Sequence, residues 1–237
     1  MGTKAWELAE TCGFAELTAD RNVRAPVAVP SCARASICPK RRVDNPARNR
    51  YTQGLRFNHT DMSTTTDQQL DLIFGRRSIR VYSPGEVSEP AVTKLLEAAM
   101  AAPSAMTKDP WRFVIVRDGQ TLSKLAALHP GAAMLSAAAM AIVVCGDLDA
   151  AFERQISYLL QDCSAAIENL LLAAHAQGLG ACWVGIHPGE PLIKRVRELL
   201  SLPSSFVPVA VVSLGQPGEQ PPPRTRYNAD YVRRERW

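Results

Sequence analysis

The sequence predicts one domain of mixed helices and strands, preceded by an extension without regular patterning. Its 237 residues are 46% hydrophobic and 21% charged, which is ordinary for a globular protein. From residue 67 onward, segments with helical spacing of apolar residues alternate with short apolar runs typical of strands. Because the strands are few and their connections uneven, an α+β fold with a mixed sheet is at least as well supported as a doubly wound fold.

Five helices follow from apolar spacing and capping residues. Ser88 caps a helix in which Val92, Leu95, Leu96, Ala99 and Met100 form one apolar face. The longest helix should end at Gly178, since glycine is favoured just past a helix end. The predicted helices are residues 68–74 capped by Asp67, the helix after Ser88, and residues 121–128, 154–177 and 191–200. Their apolar residues, including Val92, Leu95, Leu96, Ile167, Leu170 and Leu171, should form the core.

Four apolar runs predict buried strands, at residues 113–116, 140–145, 181–186 and 207–214. The remaining tail, residues 216–237, contains three consecutive prolines at 221–223. Such a segment favours an extended backbone.

Residues 1–61 differ from the rest, because their apolar residues follow neither a helical nor a strand period. A segment of this kind buries too little surface to offset its ordering entropy. We expect a largely disordered extension, with Met62 as an alternative start and residues 62–237 as the folded domain. An arginine-rich transit peptide is the rival interpretation, although six acidic residues argue against it.

The charge distribution argues against nucleic acid as a partner. Residues 1–66 hold ten Lys/Arg and six Asp/Glu, which leaves 17 of each in the body, so the body has no net basic charge to attract phosphates. No apolar run reaches the roughly 20 residues that a membrane span needs, and the start lacks a secretory signal. We expect a cytoplasmic protein that binds neither membranes nor nucleic acid.

The six cysteines form no C-x-x-C pair, and the four histidines do not cluster with cysteines or carboxylates. The sequence therefore predicts reduced thiols and no metal site. Cys182 has no base near it in sequence, which favours a buried inert thiol over a nucleophile.

Two segments in the first half carry polar residues that a fold alone does not require. Residues 75–80 place Arg76, Arg77, Ser78 and Arg80 within five positions, a good cradle for a phosphate. Residues 102–113 form a polar loop between a helix and a strand, where Ser, Thr and Asp could bond the edge of a heterocycle. The alternatives are a solvated basic turn and an ordinary connection anchored by a buried Trp111.

Two further segments lie near the C-terminus. Residues 178–185 are rich in glycine, but the spacing is not G-x-G-x-x-G and the glycines follow a helix, which excludes a Rossmann fingerprint. These glycines would let the backbone approach something flat or bulky. Arg224 and Arg226 lie in the tail and could meet Arg76 in space, or could simply form a basic terminus.

In this order and at these separations, the four segments resemble the nitroreductase family of FMN-dependent oxidoreductases, over residues 67–237. Residues 76–80 are similar to the family's R-R-S-x-R signature, which holds the FMN phosphate. Residues 102–113 are similar to its A-P-S-x-x-N-x-Q-P-W-x-F loop, which lines the flavin of the other subunit in a dimer. The backbone at 183–185 would then face flavin N5, and the tail arginines would reach back to the phosphate.

The resemblance implies an α+β fold with a mixed or antiparallel sheet flanked by helices, and a C-terminal tail that extends across a homodimer with FMN at the interface. The residues it implies for FMN binding are Arg76, Arg77, Ser78, Arg80, Pro103, Ser104, Ala105, Thr107, Trp183, Val184, Gly185, Arg224 and Arg226. Two positions depart from the family pattern. Thr107 stands in place of Asn and has less reach, and Asp109 stands in place of Gln and would repel a reduced flavin unless it points away or pairs with Lys108.

The resemblance also implies an activity. NADH or NADPH would deliver hydride to FMN, and an electron-poor small molecule such as a nitroaromatic or quinone would then be reduced at the same face, giving ping-pong kinetics. Because flavin N5 carries the chemistry, no catalytic side chain is expected. A dehalogenating or flavin-fragmenting enzyme, an FMN carrier or sensor without turnover, and a binding role for the basic extension remain open.

Overall fold

The computed structural model describes residues 70–237, and residues 70–75 are helical. The expected Asp67 cap, the extension over residues 1–61 and the alternative start at Met62 lie outside the described residues. The division into residues 1–61 and 62–237 therefore stays a prediction.

The helices confirm the predictions from apolar spacing to within two residues at each end. They are α1 (Glu89–Met100), α2 (Gly119–Ala127), α3 (Ile156–Ala176) and α4 (Glu190–Leu199). The Ser88 side chain caps α1 by accepting from the Ala91 N–H, as predicted. Beyond α3, Gly178 has a φ of +71° and the Leu179 N–H returns to the Ala174 carbonyl, which is a Schellman ending. Met100, expected on the apolar face, is exposed because the buried stripe of α1 stops at Ala99.

Short 3-10 helices occupy stretches that the sequence left as connections, at Ala105–Thr107, Pro130–Ala137 and Phe152–Arg154. A further one, Ala229–Tyr231, interrupts the tail that was predicted to be extended throughout. Its N-cap is the Asn228 side chain, which accepts from the Asp230 N–H. Local hydrogen bonds of this type stabilise single turns that apolar periodicity does not reveal.

The strands are β1 (Tyr82–Ser83), β2 (Trp111–Val116), β3 (Met140–Asp147), β4 (Gly180–Gly185) and β5 (Phe206–Pro217). Four of them match the predicted runs, and β1 is too short to show any period. Strand β5 extends two residues into the segment assigned to the tail. This extension lets Pro217 and Gln216 pair with β1.

Strand β5 organises the sheet. It pairs with β3 along one side and with β4 and β1 along the other, while β2 pairs with the far side of β3. All of these pairs are antiparallel, and within the described residues the one isolated parallel bridge joins Ser78 to Ala181. The fold is therefore α+β, which settles the choice against a doubly wound sheet.

Helices cover both faces of the sheet. Met140, Ile142 and Val144 of β3 belong to the same apolar cluster as residues of α1 and α3, whereas Ala141 and Val143 belong to the cluster with α2 and α4. The predicted core residues of α1 and α3 are buried, apart from the partly buried Leu96. With both faces covered, a ligand has access at the edges and ends of the sheet. No helix among residues 70–237 is long and apolar enough to cross a membrane.

Candidate functional site

Residues 74–82, here called the arginine segment, lie against the beginning of β4. The Ile79 N–H donates to the Ala181 carbonyl at 2.9 Å, next to the Ser78–Ala181 bridge. A Cβ on Gly180 would lie 2.8 Å from the Ile79 side chain. The glycines were predicted to let the backbone come close to another group. At Gly180, that group is the protein's own arginine segment.

The tail returns along the arginine segment and continues the β1–β5 pairing beyond its last strand residue. The Gly218 N–H donates to the Val81 carbonyl at 2.8 Å, the Arg77 guanidinium donates to the Pro222 carbonyl, and the Arg224 N–H donates to the Phe74 carbonyl at 3.3 Å. The backbone of Arg224 thus lies beside the beginning of the segment that holds Arg76 and Arg77. Arg226 is exposed two residues further along.

The Glu219 side chain also joins the tail to the arginine segment. Its carboxylate accepts the Arg80 N–H at 2.5 Å and the Val81 N–H at 3.1 Å. These backbone hydrogen bonds, the Arg80 bond first, hold the pKa of Glu219 below its ordinary value. Sequence reasoning missed this residue, because a single acid in a proline-rich tail carries no local signal.

Tyr82 ties the arginine segment to the sheet. Its hydroxyl donates to the Ile79 carbonyl at 2.9 Å and lies 2.7 Å from the hydroxyl of Ser213, a fully buried residue of β5. Burial raises the pKa of Tyr82 to about 12, so the hydroxyl keeps its proton at neutral pH. The ring lies over Gly215, where a Cβ would come within 2.9 Å of it.

A cavity of about 290 Å³ opens beside the arginine segment, between α3, the beginning of β4 and the tail. Arg76, Arg77, His175 and Glu219 contribute its polar groups, and Ile79, Leu171 and Leu179 are among its apolar ones. Arg76 Nε lies 3.2 Å from Glu168 Oε1 of α3. That nitrogen is buried and has no hydrogen-bond partner among the described residues, so the contact is an ion pair without hydrogen-bond geometry.

Cys182 is buried beside this segment, and desolvation raises its pKa, while the positive charge of Arg80 opposes the shift. The predicted burial of Cys182 is confirmed, and its lack of reactivity stays a prediction. Cys145 and Cys163 are also free and buried. Within residues 70–237, no three His, Cys, Asp or Glu side chains are grouped so as to hold a metal ion.

The second predicted segment forms a strained loop, residues 103–109. Met106, Thr107 and Asp109 have φ angles of +50°, +53° and +48°, each costing on the order of 1–3 kcal/mol for a residue other than glycine. The Ser104 hydroxyl closes the loop by donating to the Asp109 carboxylate and accepting the Asp109 N–H. Met106 and Thr107 at its tip are exposed, whereas Ser104 and Ala105 are half-buried.

The two side chains that depart from the family pattern bond within the loop. Ser104 engages the Asp109 carboxylate, and the described residues show no ion pair between Asp109 and Lys108, which was one of the two arrangements considered. The Thr107 hydroxyl donates to the carbonyl of Met106 at 2.7 Å. The Thr107 and Asp109 side chains therefore both form hydrogen bonds within the loop.

Two neighbours support the loop from outside. The Ala105 N–H donates to the Asp162 carboxylate of α3 at 2.9 Å, and the Arg112 guanidinium donates to the Asp109 carbonyl at 3.1 Å. Arg112 also reaches the carboxylate of Asp147 at 3.2 Å. The sequence did signal Asp162, since it is a carboxylate on the apolar face of α3 beside the buried Cys163, but that signal was not taken as a site.

The third predicted segment is the end of β4. Val184 is buried, Trp183 is partly buried, and Gly185 is exposed with open space where a Cβ would be. Among residues 70–237, no hydrogen bond joins the strained loop to the arginine segment or to residues 183–185. The structure thus brings the arginine segment, β4 and Arg224 together, and within the described residues it joins Pro103, Ser104, Ala105 and Thr107 to them by no hydrogen bond.

This arrangement can be compared with known proteins. A protein of Methanothermobacter thermautotrophicus, assigned by name as an NADH dehydrogenase/NAD(P)H nitroreductase, is 41% identical over 76% of this chain and 93% of its own length. The solved structure of an FMN-dependent nitroreductase from Clostridium difficile has a TM-score of 0.64 and 28% identity, and covers 71% of this chain and 99% of the other.

A second solved structure, from Desulfovibrio desulfuricans, carries the name of a nitroreductase and was determined in complex with FMN. It has a TM-score of 0.62 and 33% identity, and covers 71% of this chain and 96% of the other. The profile of the nitroreductase family matches residues 73–130 and 128–216. The matched ranges include the arginine segment, the strained loop and β4, and on this evidence the chain belongs to the nitroreductase family.

Proposed function

We propose that this protein is an FMN-dependent oxidoreductase that takes hydride from NADH or NADPH and reduces an electron-poor acceptor such as a nitroaromatic or a quinone. The observation that carries the proposal is the pairing of residues 74–82 with residues 217–224, which collects Arg76, Arg77, Arg80 and Arg224 along one edge of the sheet. A dianionic phosphate is the natural partner of such a set.

The residues present fit FMN on three counts. Arg76 has a buried nitrogen with no hydrogen bond among the described residues. Gly185 offers exposed backbone with open space at the end of β4, and Ser78 bridges Ala181 near the beginning of the same strand. Arg76, Arg77, Ser78, Arg80, Arg224 and Arg226 would hold the phosphate end and residues 183–185 the ring. FMN, when bound, supplies the acceptor and donor of hydride.

The protein's own contribution is then binding and orientation. Charge-assisted hydrogen bonds to the phosphate stabilise the complex by roughly 1.5–3 kcal/mol each, and backbone donors at the end of β4 would fix the ring. Cys182 stays protonated by burial, which keeps a reactive thiolate out of the site. We expect NADH or NADPH and the acceptor to bind in turn at the same face of the flavin. This alternation would give ping-pong kinetics.

We further propose a homodimer in which the strained loop completes the site of the partner subunit. The lack of hydrogen bonds between this loop and the arginine segment among residues 70–237 supports the idea. So do the exposed apolar side chains of residues 70–75 and of the tail, which include Ile73, Phe74, Tyr227, Tyr231 and Trp237. Light scattering of the purified protein measures the oligomeric state, and a monomer that binds FMN fully would contradict this part.

The test of the function is an absorption spectrum of the purified protein, with the flavin identified after denaturation. We expect FMN, and bleaching of its spectrum when NADH or NADPH is added without oxygen. Bound FMN that neither nucleotide bleaches would indicate a carrier or sensor. A protein that stays colourless in excess FMN would refute the proposal.

A further inference from the structure

Helix α3 carries a carboxylate in an environment that usually excludes one. Asp162 is 5% exposed and stands on the buried face of α3, next to Leu159, Cys163 and Ala166 along the helix, which belong to the larger apolar cluster. Of the described residues, only Asp162 and Ser213 are both polar and buried. Burying a carboxylate costs free energy unless it is paired or hydrogen-bonded, so a residue of this kind calls for an explanation.

The two oxygens of Asp162 differ. Oδ1 accepts the Ala105 N–H at 2.9 Å, across 57 residues of sequence, while Oδ2 is buried with no hydrogen-bond partner among the described residues. One backbone contact therefore accounts for all the hydrogen bonding of this side chain within the described chain. That contact falls on the first residue of the turn in which Met106 and Thr107 adopt positive φ angles.

A turn strained in this way persists only when its surroundings impose it. The Ser104 bonds act within the loop, and the Arg112 bond ties only its last residue, Asp109, to the beginning of β2. Asp162 ties the strained turn itself to α3. Asn169, two turns further along α3, donates to the Ala98 carbonyl near the end of α1 at 3.1 Å, so the same helix also fixes the chain just before the loop.

We propose that Asp162 is a positioning residue that holds the strained loop, residues 103–109, in the conformation that contacts FMN. This proposal rests on the proposed function, since it assigns the loop to the cofactor. Helix α3 then sets the geometry of the loop through one buried carboxylate oxygen. Asp162 itself does not contact FMN.

The experiment compares three variants as whole proteins. Asp162→Leu keeps the branched shape but removes the acceptor and leaves no room for water, Asp162→Asn keeps an acceptor at Oδ1, and Ile167→Val lowers stability on the same helix without touching the loop. FMN affinity of the stripped protein is measured by fluorescence titration, and hydrogen exchange reports on residues 103–109. Asp162→Ala replaces the leucine variant if that does not fold.

We expect Asp162→Leu to weaken FMN binding by about tenfold or more, the equivalent of one lost buried hydrogen bond, and to speed exchange in the loop. Asp162→Asn should stay within about threefold of the parent, and Ile167→Val should change neither readout. Equal affinities and equal loop exchange in the parent and Asp162→Leu would overturn the proposal. If loop exchange is faster in Asp162→Leu but the parent does not bind FMN, Asp162 still fixes the loop and the proposed function is refuted.

Discussion

The two segments assigned to FMN, the arginine segment and the strained loop, are held in place by opposite means. The arginine segment runs without positive φ angles and is fixed by hydrogen bonds to β4 and to a tail about 140 residues away, such as those to Glu219. The loop has three positive φ angles within four residues and is fixed by its own side chains and by α3.

Both segments contact an acid of α3, yet the two contacts differ in burial. Arg76 meets Glu168, whose side chain is 47% exposed, and Ala105 meets Asp162, which is 5% exposed. An ion pair with a half-exposed partner contributes about 0–1 kcal/mol, while an unmade hydrogen bond to a buried group costs about 1–3 kcal/mol. The loop should therefore depend on α3 and the arginine segment on the tail.

The largest effect is expected from removing the charges that the tail brings together. Arg76→Ala combined with Arg224→Ala should weaken FMN binding at least about a hundredfold, because two charge-assisted contacts are lost. The fold should persist. Fluorescence titration measures FMN binding, and circular dichroism measures the fold. The control is Lys124→Ala combined with Arg195→Ala, which removes two positive charges from α2 and α4. Tight FMN binding by the double variant would refute the phosphate assignment.

A smaller effect should follow from releasing the arginine segment from the sheet. Tyr82→Phe removes the hydroxyl that meets Ile79 and the buried Ser213, which costs about 1–3 kcal/mol of stability. FMN binding should weaken severalfold as the segment loosens. Thermal unfolding and titration test this, and Tyr231→Phe, which alters an exposed tyrosine, is the control. An unchanged melting temperature would show that the hydroxyl pair does not hold the segment.

Acid should loosen the tail from the arginine segment. The folded state lowers the pKa of Glu219, so its stabilising contribution is present above the ordinary value of 4.5 and is lost as the pH falls through the lowered value. Hydrogen exchange at Arg80 and Val81, corrected for intrinsic rates, should rise across that range. Glu219→Gln should remove most of this pH dependence, and an identical profile in both proteins would contradict the assignment.

The smallest effect is expected at the ion pair between Arg76 and the half-exposed Glu168. Glu168→Gln should shift the melting temperature by no more than about 4 °C, and it should tighten FMN binding by no more than about fivefold because Arg76 loses a competing anion. Calorimetry and titration measure both. A loss of FMN binding would indicate that Glu168 orients Arg76, and the contrast between the two acids of α3 would fail.

Much of the local structure could be read from the sequence. The Ser88 cap, the Gly178 helix ending and the apolar face of α3 are set by neighbouring residues, and such signals survive in any fold that uses the helix. The shape of the strained loop could not be predicted, because positive φ angles at Met106 and Thr107 have no glycine to mark them. Asp162 was visible only as an acid out of pattern.

The sequence by itself determined the helices, the buried strands, the clusters of arginine and the resemblance that identifies the family, since each depends on residues close together in the chain. Tertiary structure decided that β5 pairs with three other strands, that every strand pair is antiparallel, and that residues 217–224 return to residues 74–82. An apolar run specifies a strand but not its neighbour or direction, because backbone hydrogen bonds between strands carry no residue identity. For that reason the meeting of the tail arginines with Arg76 was one of two alternatives from the residues alone and an expectation from the resemblance, and the fold shows that the backbone of Arg224 lies beside the arginine segment.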